Sequence, residues 1–329
     1  MRFVTAAEID ASLTYPSLIA ALGDAFRGDI VAPPRHHHTL ARPDGDATLL
    51  LMPAWSGGPG GYAGVKVVSV FPGNAARQAP SVTGTYLLLD GDSGSPLAAL
   101  DGQALTTWRT AAASALAASM LALPGARRMV MVGAGALAPR LIAAHAAVRP
   151  IAEVAIWNRT PQRAEALAAR IDRPGLRARA VADLAAAVAE ADLVSVATMS
   201  ATPLVRGAWL RPGAHLDLVG AYNPAMREAD DAAIRRSSVH VDTRAGALRE
   251  AGDIVQAIAA GALTEAAIAG DLFDLCRGVA PGRRAAEEIT LFKSVGAAIE
   301  DLAAAVLVYE RLGRGSRLEE IGPGRGVAT

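Results

Sequence analysis

A short apolar run followed by closely spaced glycines is the part of this sequence that points most directly to chemistry. Segment 128–132 leads into Gly133 and Gly135, and Ala138 opens an alanine-rich stretch. In a strand–turn–helix unit the first glycine permits a tight turn, the second lets the backbone approach a pyrophosphate, and the small third residue lets the helix pack on the strand. The free N–H groups of the helix N-terminus then face the phosphates. We predict a dinucleotide-binding loop rather than a glycine turn without function, because an apolar strand at 153–157 closes a βαβ unit.

The end of that second strand indicates which dinucleotide the loop would hold. Asn158, Arg159 and Thr160 follow the strand, and none of them carries a carboxylate. An NAD site usually has an acidic side chain here that binds the ribose hydroxyls, whereas an arginine suits the 2′-phosphate of NADP. These residues therefore favour NADPH, with NADH as a weaker ligand. The alternative is that Arg159 is a solvent-exposed residue at the end of the strand and does not contact a cofactor.

Lysine is rare in this sequence, and arginine supplies nearly all of the positive charge. Lys66 and Lys293 are the two lysines among 32 basic residues. Lysine is a compact charge whose pKa shifts on burial, whereas arginine is planar and permanently charged. Both lysines are therefore candidate site residues, with codon bias as the alternative. Arg109 is expected in the first turn of a helix, where a cation opposes the helix dipole and an anionic ligand or a surface salt bridge would compensate it.

The composition favours a small molecule as the partner. The 329 residues allow roughly two domains, 52% of them are hydrophobic, and 32 acidic residues balance the 32 basic ones. No net field attracts nucleic acid or a membrane surface, and we expect neither as a partner. A single cysteine and the lack of a secretory leader predict a cytoplasmic protein. The run His36–His38 alternates between the faces of a strand and lacks further ligands at metal spacing, so we predict no metal site.

The elements that must position these residues follow two patterns. A helical pattern at 10–26 precedes a region of short alternating strands, which predicts an antiparallel sheet that carries Arg35 and Lys66. Those strands are expected at 47–52, 62–70, 84–89 and 96–100. After the first βαβ unit, strands alternate with helices such as 182–189, which predicts a parallel doubly wound α/β sheet. Its further strands are expected at 176–180, 192–197, 215–219 and 239–242. A final amphipathic helix to Tyr309 is expected to return to the first region.

These segments together resemble the ornithine cyclodeaminase and mu-crystallin family through nearly the whole chain. The resemblance is carried by Pro34-Arg35, segment 64–74, the Arg109 helix, the glycine loop, Asn158–Thr160 and segment 292–296. It implies a Rossmann domain, 116–299, inserted in a smaller α+β domain, 1–115 plus 300–329, that binds substrate and forms a homodimer. It also implies that Arg35, Lys66 and Arg109 surround the carboxylate of a substrate derived from an amino acid, as the chemistry of basic side chains would favour. The cofactor contacts that it implies are Gly133, Gly135, Ala136, Leu137, Asn158, Arg159, Thr160, Lys293 and Ser294.

One position separates the chemistries within that family. Ornithine cyclodeaminases and related archaeal alanine dehydrogenases carry an aspartate just after the glycine that ends the fifth Rossmann strand, and Tyr222 stands there in this chain. A tyrosine of ordinary pKa is a poor base at neutral pH. The resemblance is thus to ketimine reductases, which use NADPH to reduce a cyclic imino acid: Δ1-pyrroline-2-carboxylate to proline, or Δ1-piperideine-2-carboxylate to pipecolate. A lyase acting on ornithine and a non-enzymatic binding protein are the alternatives.

Overall fold

The computed structural model describes residues 1–42 and 45–319, and residues 320–329 of the expected C-terminal part lie outside them. The strands of the first sheet are β1 Arg2–Val4, β2 Ile30–Val31, β3 His36–Leu40, β4 Ala47–Ser56, β5 Tyr62–Val70, β6 Val82–Asp90 and β7 Pro96–Asp101. Their order is β1-β7-β6-β5-β4, and β2 and β3 both pair with β4. All pairings are antiparallel except that of β1 with β7. The predicted antiparallel sheet is confirmed, with Lys66 in the middle of β5.

The second sheet is parallel throughout. Its strands are β8 Arg128–Val132, β9 Glu153–Trp157, β10 Arg177–Ala180, β11 Leu193–Val196, β12 His215–Leu218, β13 Ser237–Val241, β14 Gly270–Asp271 and β15 Ile289–Lys293. Their order is β10-β9-β8-β11-β12-β15-β13-β14. The winding direction reverses between β8 and β11, and ligands of such sheets bind in the crevice at the carboxyl ends of the strands at this point. The predicted doubly wound α/β fold is confirmed.

The first helical pattern is divided into two helices, because Pro16 cannot lie inside a continuous helix. The helices are α1 Ala6–Ser12, α2 Tyr15–Arg27, α3 Gly102–Leu121, α4 Ala138–Val148, α5 Pro161–Arg170, α6 Leu184–Glu190, α7 Asp231–Arg235, α8 Arg244–Glu250, α9 Gly252–Ala259, α10 Leu272–Cys276 and α11 Ala298–Glu319. Pro16 lies in the first turn of α2, where its missing N–H costs nothing. None of the helices within 1–42 and 45–319 combines the length and the apolar character needed to cross a bilayer.

Helix α3 begins earlier than predicted, which changes the argument about Arg109. Asp101 caps the helix by accepting a hydrogen bond from the Ala104 N–H at 2.8 Å. Arg109 therefore lies in the interior of α3, away from the positive end of its dipole. The expectation that Arg109 stands in the first helical turn was wrong, and its charge is balanced instead by acidic side chains of α11.

Helix α3 also connects the two sheets. One apolar cluster extends from α2 and the first sheet through α3 and α11 to one face of the second sheet. A second cluster covers the other face of that sheet, beneath α6 to α9. The predicted domain boundary at 115/116 falls inside α3. Helix α11 packs on α2, α3, β4 and β5, which confirms that the end of the chain returns to the first region.

Candidate active site

The predicted nucleotide loop lies at the carboxyl end of β8. Gly133 has φ +107°, and a Cβ atom there would lie 2.5 Å from the carbonyl oxygen of Ala197, so only glycine fits. The Gly133 N–H donates to the Trp157 carbonyl at 2.8 Å and thereby fixes the turn. At Gly135 a Cβ would meet no atom within 4 Å, so the space above the backbone is open. Through Ala136 and Leu137 the loop runs into α4. This geometry fits a pyrophosphate above the loop.

A cavity of about 460 Å³ adjoins this loop. It is lined by Gly133–Gly135, by Trp157–Thr160 with Arg163, and by residues from the segment 197–204 that follows β11. Asn158 Oδ1 accepts a hydrogen bond from the Ala134 N–H at 3.2 Å, which ties the end of β9 to the glycine loop. Among the described residues that line the cavity, none is acidic. The cavity therefore has the donor set of a dinucleotide site and lacks the carboxylate that would repel a 2′-phosphate.

Two arginines lie at the β9 end of the cavity. Arg159 and Thr160 are exposed, and Arg163 follows in the first turn of α5. Sequence analysis did not single out Arg163. The signal for it was present, because Pro161 is typical of the first helical turn and Arg163 therefore lies in that turn, close to the end of β9.

The basic residues Lys66 and Arg109 meet at two acidic residues of α11. Lys66 Nζ lies 2.8 and 2.9 Å from the two carboxylate oxygens of Asp301 and 3.3 Å from Thr106 Oγ1. Arg109 Nε donates to Asp301 at 2.9 Å, and its Nη1 donates to Glu300 Oε2 at 2.8 Å. Lys66 is 2% exposed and Arg109 5%, while both carboxylates are fully buried. Sequence analysis missed Glu300 and Asp301, because only the fold brings α11 to β5 and α3.

Arg35 reaches the same place from the start of β3. Its Nη2 donates to the carbonyl oxygens of Val295 and Gly296 at 3.0 and 2.5 Å, and its Nε lies 3.2 Å from Glu250. The N–H groups of Val295 and Gly296 both donate to Asp242 Oδ2 at 2.7 Å. The turn after β15 is therefore held from both sides. It brings Arg35, which precedes β3, to the carboxyl end of the second sheet.

Gly296 lets Arg109 approach this turn closely. Its φ is +85°, and a Cβ there would lie 2.3 Å from Arg109 Nη1. A glycine is needed for both the conformation and the contact. Arg35 and Arg109 thus converge on one turn, and Lys66 shares Asp301 with Arg109.

Burial and charge shift the acidities within this cluster. Burial, together with repulsion by Arg109, lowers the pKa of Lys66 to about 8, although Asp301 opposes the shift. Burial raises the pKa of Glu300 to about 7 against the attraction of Arg109. Burial also acts to raise the pKa of Asp301, but the charges of Arg109 and Lys66 outweigh it and the pKa lies below its usual value. The cluster can therefore accept an added anion by taking up a proton at Glu300, and Lys66 can release one near neutral pH.

Two residues of the expected cofactor site, Lys293 and Ser294, are buried at the end of β15. The Lys293 side chain is fully buried, with Nζ 3.2 Å from the Leu218 carbonyl oxygen and 3.5 Å from Asp253. Ser294 is buried as well, and its N–H donates to the same Leu218 oxygen at 3.1 Å. Neither residue lines the cavity. Their interactions fix the end of β15 against β12, because a buried ammonium requires an acidic or carbonyl partner.

Tyr222 and Met199 are exposed beside the loops that follow β12 and β11. Tyr222 is 44% exposed and Met199 is 79% exposed. Met199 lines the cavity, whereas Tyr222 lies in the turn after Gly220.

Comparison with known proteins identifies relatives along nearly the whole chain. The model of the ornithine cyclodeaminase/mu-crystallin family matches residues 3–316. A Δ1-pyrroline-2-carboxylate reductase of Paracoccus denitrificans is 45% identical over 256 residues, covering 78% of this chain and 80% of that protein. Ketimine reductase mu-crystallin of Mus musculus is 35% identical over 316 residues, covering 94% and 96%.

A solved structure is similar over the same extent. The Δ1-pyrroline-2-carboxylate reductase of Thermococcus litoralis, in complex with NADH and L-proline, superposes with a TM-score of 0.89 at 32% identity, covering 96% of this chain and 98% of that one. The match of the family model, the identity to these relatives and the shared fold lead to one conclusion. This chain belongs to the ornithine cyclodeaminase/mu-crystallin family.

Proposed function

We propose that this protein is a nicotinamide-dependent imine reductase that acts on cyclic ketimino acids. The observation that carries the proposal is the buried pair Lys66 and Arg109, which share Asp301, with Arg109 against the Gly296 turn at the carboxyl end of the nucleotide-binding sheet. An arginine fork and a lysine point charge suit a small carboxylate. Tyr222 stands where a deaminating aspartate is expected, so the substrate arrives as a ready-made imine. Relatives named as Δ1-pyrroline-2-carboxylate and ketimine reductases support the same chemistry.

Different basic residues bind the substrate carboxylate and protonate the imine nitrogen. Arg109 and Arg35 hold the substrate carboxylate, and proton uptake by Glu300 offsets the added negative charge. Lys66 keeps a proton on Nζ and delivers it to the imine nitrogen, for which a pKa of about 8 is well suited. When bound, the nicotinamide supplies the hydride that adds to the imine carbon. One hydride and one proton convert the C=N bond to a secondary amine, and the products are proline or pipecolate.

NADPH is the proposed cofactor, with NADH as a weaker ligand. Arg159 and Arg163 stand together at the β9 end of the cavity, and the described lining offers no carboxylate for the ribose hydroxyls. Guanidinium groups bind phosphate through charge-assisted hydrogen bonds. The Thermococcus litoralis relative was solved with NADH, and dissociation constants of NADPH and NADH for this protein test the choice between the two cofactors.

We propose that the protein is a homodimer and that the outer face of the first sheet forms its interface. Side chains of a strand alternate between faces, and buried Lys66, Tyr86 and Leu88 point inward. The opposite face is largely apolar, and its members include Phe3, Trp55, Val65, Val67, Leu87, Leu89 and Leu97. An apolar sheet face of this extent is typical of a protein interface.

The reaction is tested by following NADPH oxidation with Δ1-pyrroline-2-carboxylate and with Δ1-piperideine-2-carboxylate, beside ammonia release from ornithine with catalytic NAD. We expect both imines to be reduced and no ammonia to form. Proline and ammonia appearing from ornithine would overturn the proposal in favour of a lyase. Tight cofactor binding without turnover of any of these compounds would favour a binding protein.

A further inference from the structure

A fully buried carboxylate connects the two segments that follow β11 and β12. Glu228 Oε1 accepts hydrogen bonds from the Thr198 N–H at 2.7 Å and from the Thr198 hydroxyl at 2.8 Å. Its Oε2 accepts from the N–H groups of Gly220 and Ala221 at 2.6 and 3.2 Å. Four donors from two loops thus share one carboxylate.

The two segments are as close as their backbones allow. A Cβ at Gly220 would lie 1.9 Å from the Thr198 carbonyl oxygen and 2.4 Å from Glu228 Oε1. Any side chain at Gly220 would therefore separate the loops. The carboxylate and the glycine together fix the relative position of Thr198 and the turn at 220–222.

A second buried carboxylate supports Glu228 from below. Asp253 Oδ1 accepts hydrogen bonds from the N–H groups of Glu228 and Ala229 at 2.8 and 3.0 Å. Asp253 Oδ2 has no hydrogen bond and lies 3.5 Å from Lys293 Nζ, which donates to the Leu218 carbonyl at 3.2 Å. Glu228, Asp253 and Lys293 are all fully buried. Buried ion pairs add little to stability compared with apolar packing. The three buried charged residues are therefore better explained by the position in which they hold the two loops.

The strand order shows which part of a dinucleotide would meet these loops. A ligand that crosses the carboxyl ends passes from β9, with Asn158 and Arg159, over the glycine loop of β8 to β11 and β12. Thr198 lines the cavity directly. The adenosine half therefore lies at β9, and the nicotinamide half lies over Thr198 and the turn at 220–222, next to the Gly296 turn.

We propose that Glu228 is a positioning residue that fixes Thr198 and Gly220–Ala221 as the surface against which the nicotinamide half of the cofactor rests, and that Asp253 and Lys293 hold Glu228 in place. This inference rests on the proposed function, because it assumes a nicotinamide dinucleotide. It gives Lys293 an indirect role in cofactor binding in place of the direct contact expected from the sequence.

The four donors require an ionised carboxylate. Burial raises the pKa of Glu228 to about 7, and the facing charge of Asp253 adds to the rise, whereas Lys293 and the hydrogen bonds of Thr198 oppose it. A proton on Glu228 would occupy an oxygen that now accepts two hydrogen bonds. The hydrogen bonds from the two loops to Glu228 are therefore all formed above pH 7, and they weaken as the pH falls through this value.

The test compares the affinities of NADH and ADP-ribose, which differ only by the nicotinamide group, for the full-length protein. Glu228→Gln places an amide against N–H donors and so weakens hydrogen bonds to a charged group. We expect the affinity for NADH to fall about tenfold or more, and the affinity for ADP-ribose to change less than about twofold. In the wild type the preference for NADH over ADP-ribose should fall below pH 7, and in the variant it should not depend on pH. Thr198→Val removes one donor and should act in the same direction, with a smaller effect.

Asp192→Asn is the matched control. Asp192 accepts hydrogen bonds from the N–H groups of Arg127 and Arg128, both at 2.8 Å, and thereby ties the start of β11 to the start of β8, at the opposite edge of the sheet from Glu228. This variant should lower the melting temperature without changing the preference for NADH. Equal losses of NADH and ADP-ribose in Glu228→Gln, or an unchanged preference in both Glu228→Gln and Thr198→Val, would overturn the inference and leave the proposed function standing. A wild type that binds neither NADH nor NADPH would overturn both.

Discussion

Lys66 is buried beside an aspartate and still has a pKa near 8, because burial and the charge of Arg109 lower it more than Asp301 raises it. Lys66→Arg keeps the charge, but arginine cannot release a proton near neutral pH. If Lys66 is the acid, kcat should fall by about 10²- to 10⁴-fold. The measurement is kcat against pH with saturating imine. Wild-type kcat should decline as the pH rises above 8, since the ammonium form is then lost.

The other role of Lys66 predicts a different result. If the residue only anchors the carboxylate, Lys66→Arg should mainly raise KM, because binding is then lost equally in the ground state and the transition state. A variant whose kcat stays within about tenfold of the wild type across the pH range would rule out proton delivery by Lys66.

Arg159 is expected to distinguish the two cofactors. Arg159→Ala should weaken NADPH far more than NADH, by about 1.5 to 3 kcal/mol for a hydrogen bond to a charged group. Because Arg163 faces the same part of the cavity, Arg163→Ala should shift the preference in the same direction. Dissociation constants for both cofactors provide the measurement, with Arg170→Ala at the other end of α5 as a control that should change neither. Equal losses of NADPH and NADH would contradict the assignment of the 2′-phosphate.

Substitutions at Gly296 test whether the turn after β15 positions the Arg109 side chain of α3. Gly296→Ala introduces a left-handed alanine, which costs about 1 to 2 kcal/mol, and its Cβ would displace the guanidinium of Arg109. Gly261→Ala carries the same conformational cost, since φ there is +68° and no atom lies within 4 Å of a Cβ. Both variants should lose this conformational contribution to the free energy of unfolding, and Gly296→Ala should lose more because its Cβ displaces Arg109, but only Gly296→Ala should raise KM for the imine. An equal KM in the two variants would exclude a role for this turn in placing Arg109.

The elements show where local sequence patterns are sufficient and where they are not. The glycine spacing and apolar runs predicted β8, the turn and α4, and the bounds of β9 at Glu153–Trp157 agree with the prediction, because these patterns act over one βαβ unit. The start of α3 was missed because Asp101 was not recognised as its cap. Glu300, Asp301 and Glu228 were missed for another reason. Their role depends on contacts between distant segments, which no local periodicity reveals.

At the scale of the whole molecule, the outer face of the first sheet is expected to form the dimer interface. Leu87→Glu places a charge at the centre of this face, between inward-pointing Tyr86 and Leu88. Burying an unpaired carboxylate is costly, so the variant should be monomeric and folded. Sedimentation velocity measures the change. Val279→Glu is the control, because Val279 is 73% exposed in the segment after α10 and is not part of this sheet; we expect the Val279→Glu variant to remain a dimer. If the Leu87→Glu variant formed a dimer as stable as that of the wild type, the interface would lie elsewhere.

The pairing of Lys66 and Arg109 with Asp301 has a consequence for how the protein is made. Asp301 follows Lys66 by 235 residues and Arg109 by 192. Chains fold from the N-terminus during synthesis, at about 5 to 20 residues per second. Lys66 in β5 and Arg109 in α3 therefore leave the ribosome as cations that cannot be buried without their partner, whereas β8 to β15 come from one continuous stretch. We expect the nucleotide-binding sheet to be complete on the nascent chain while the first sheet, although synthesised earlier, stays open until α11 emerges.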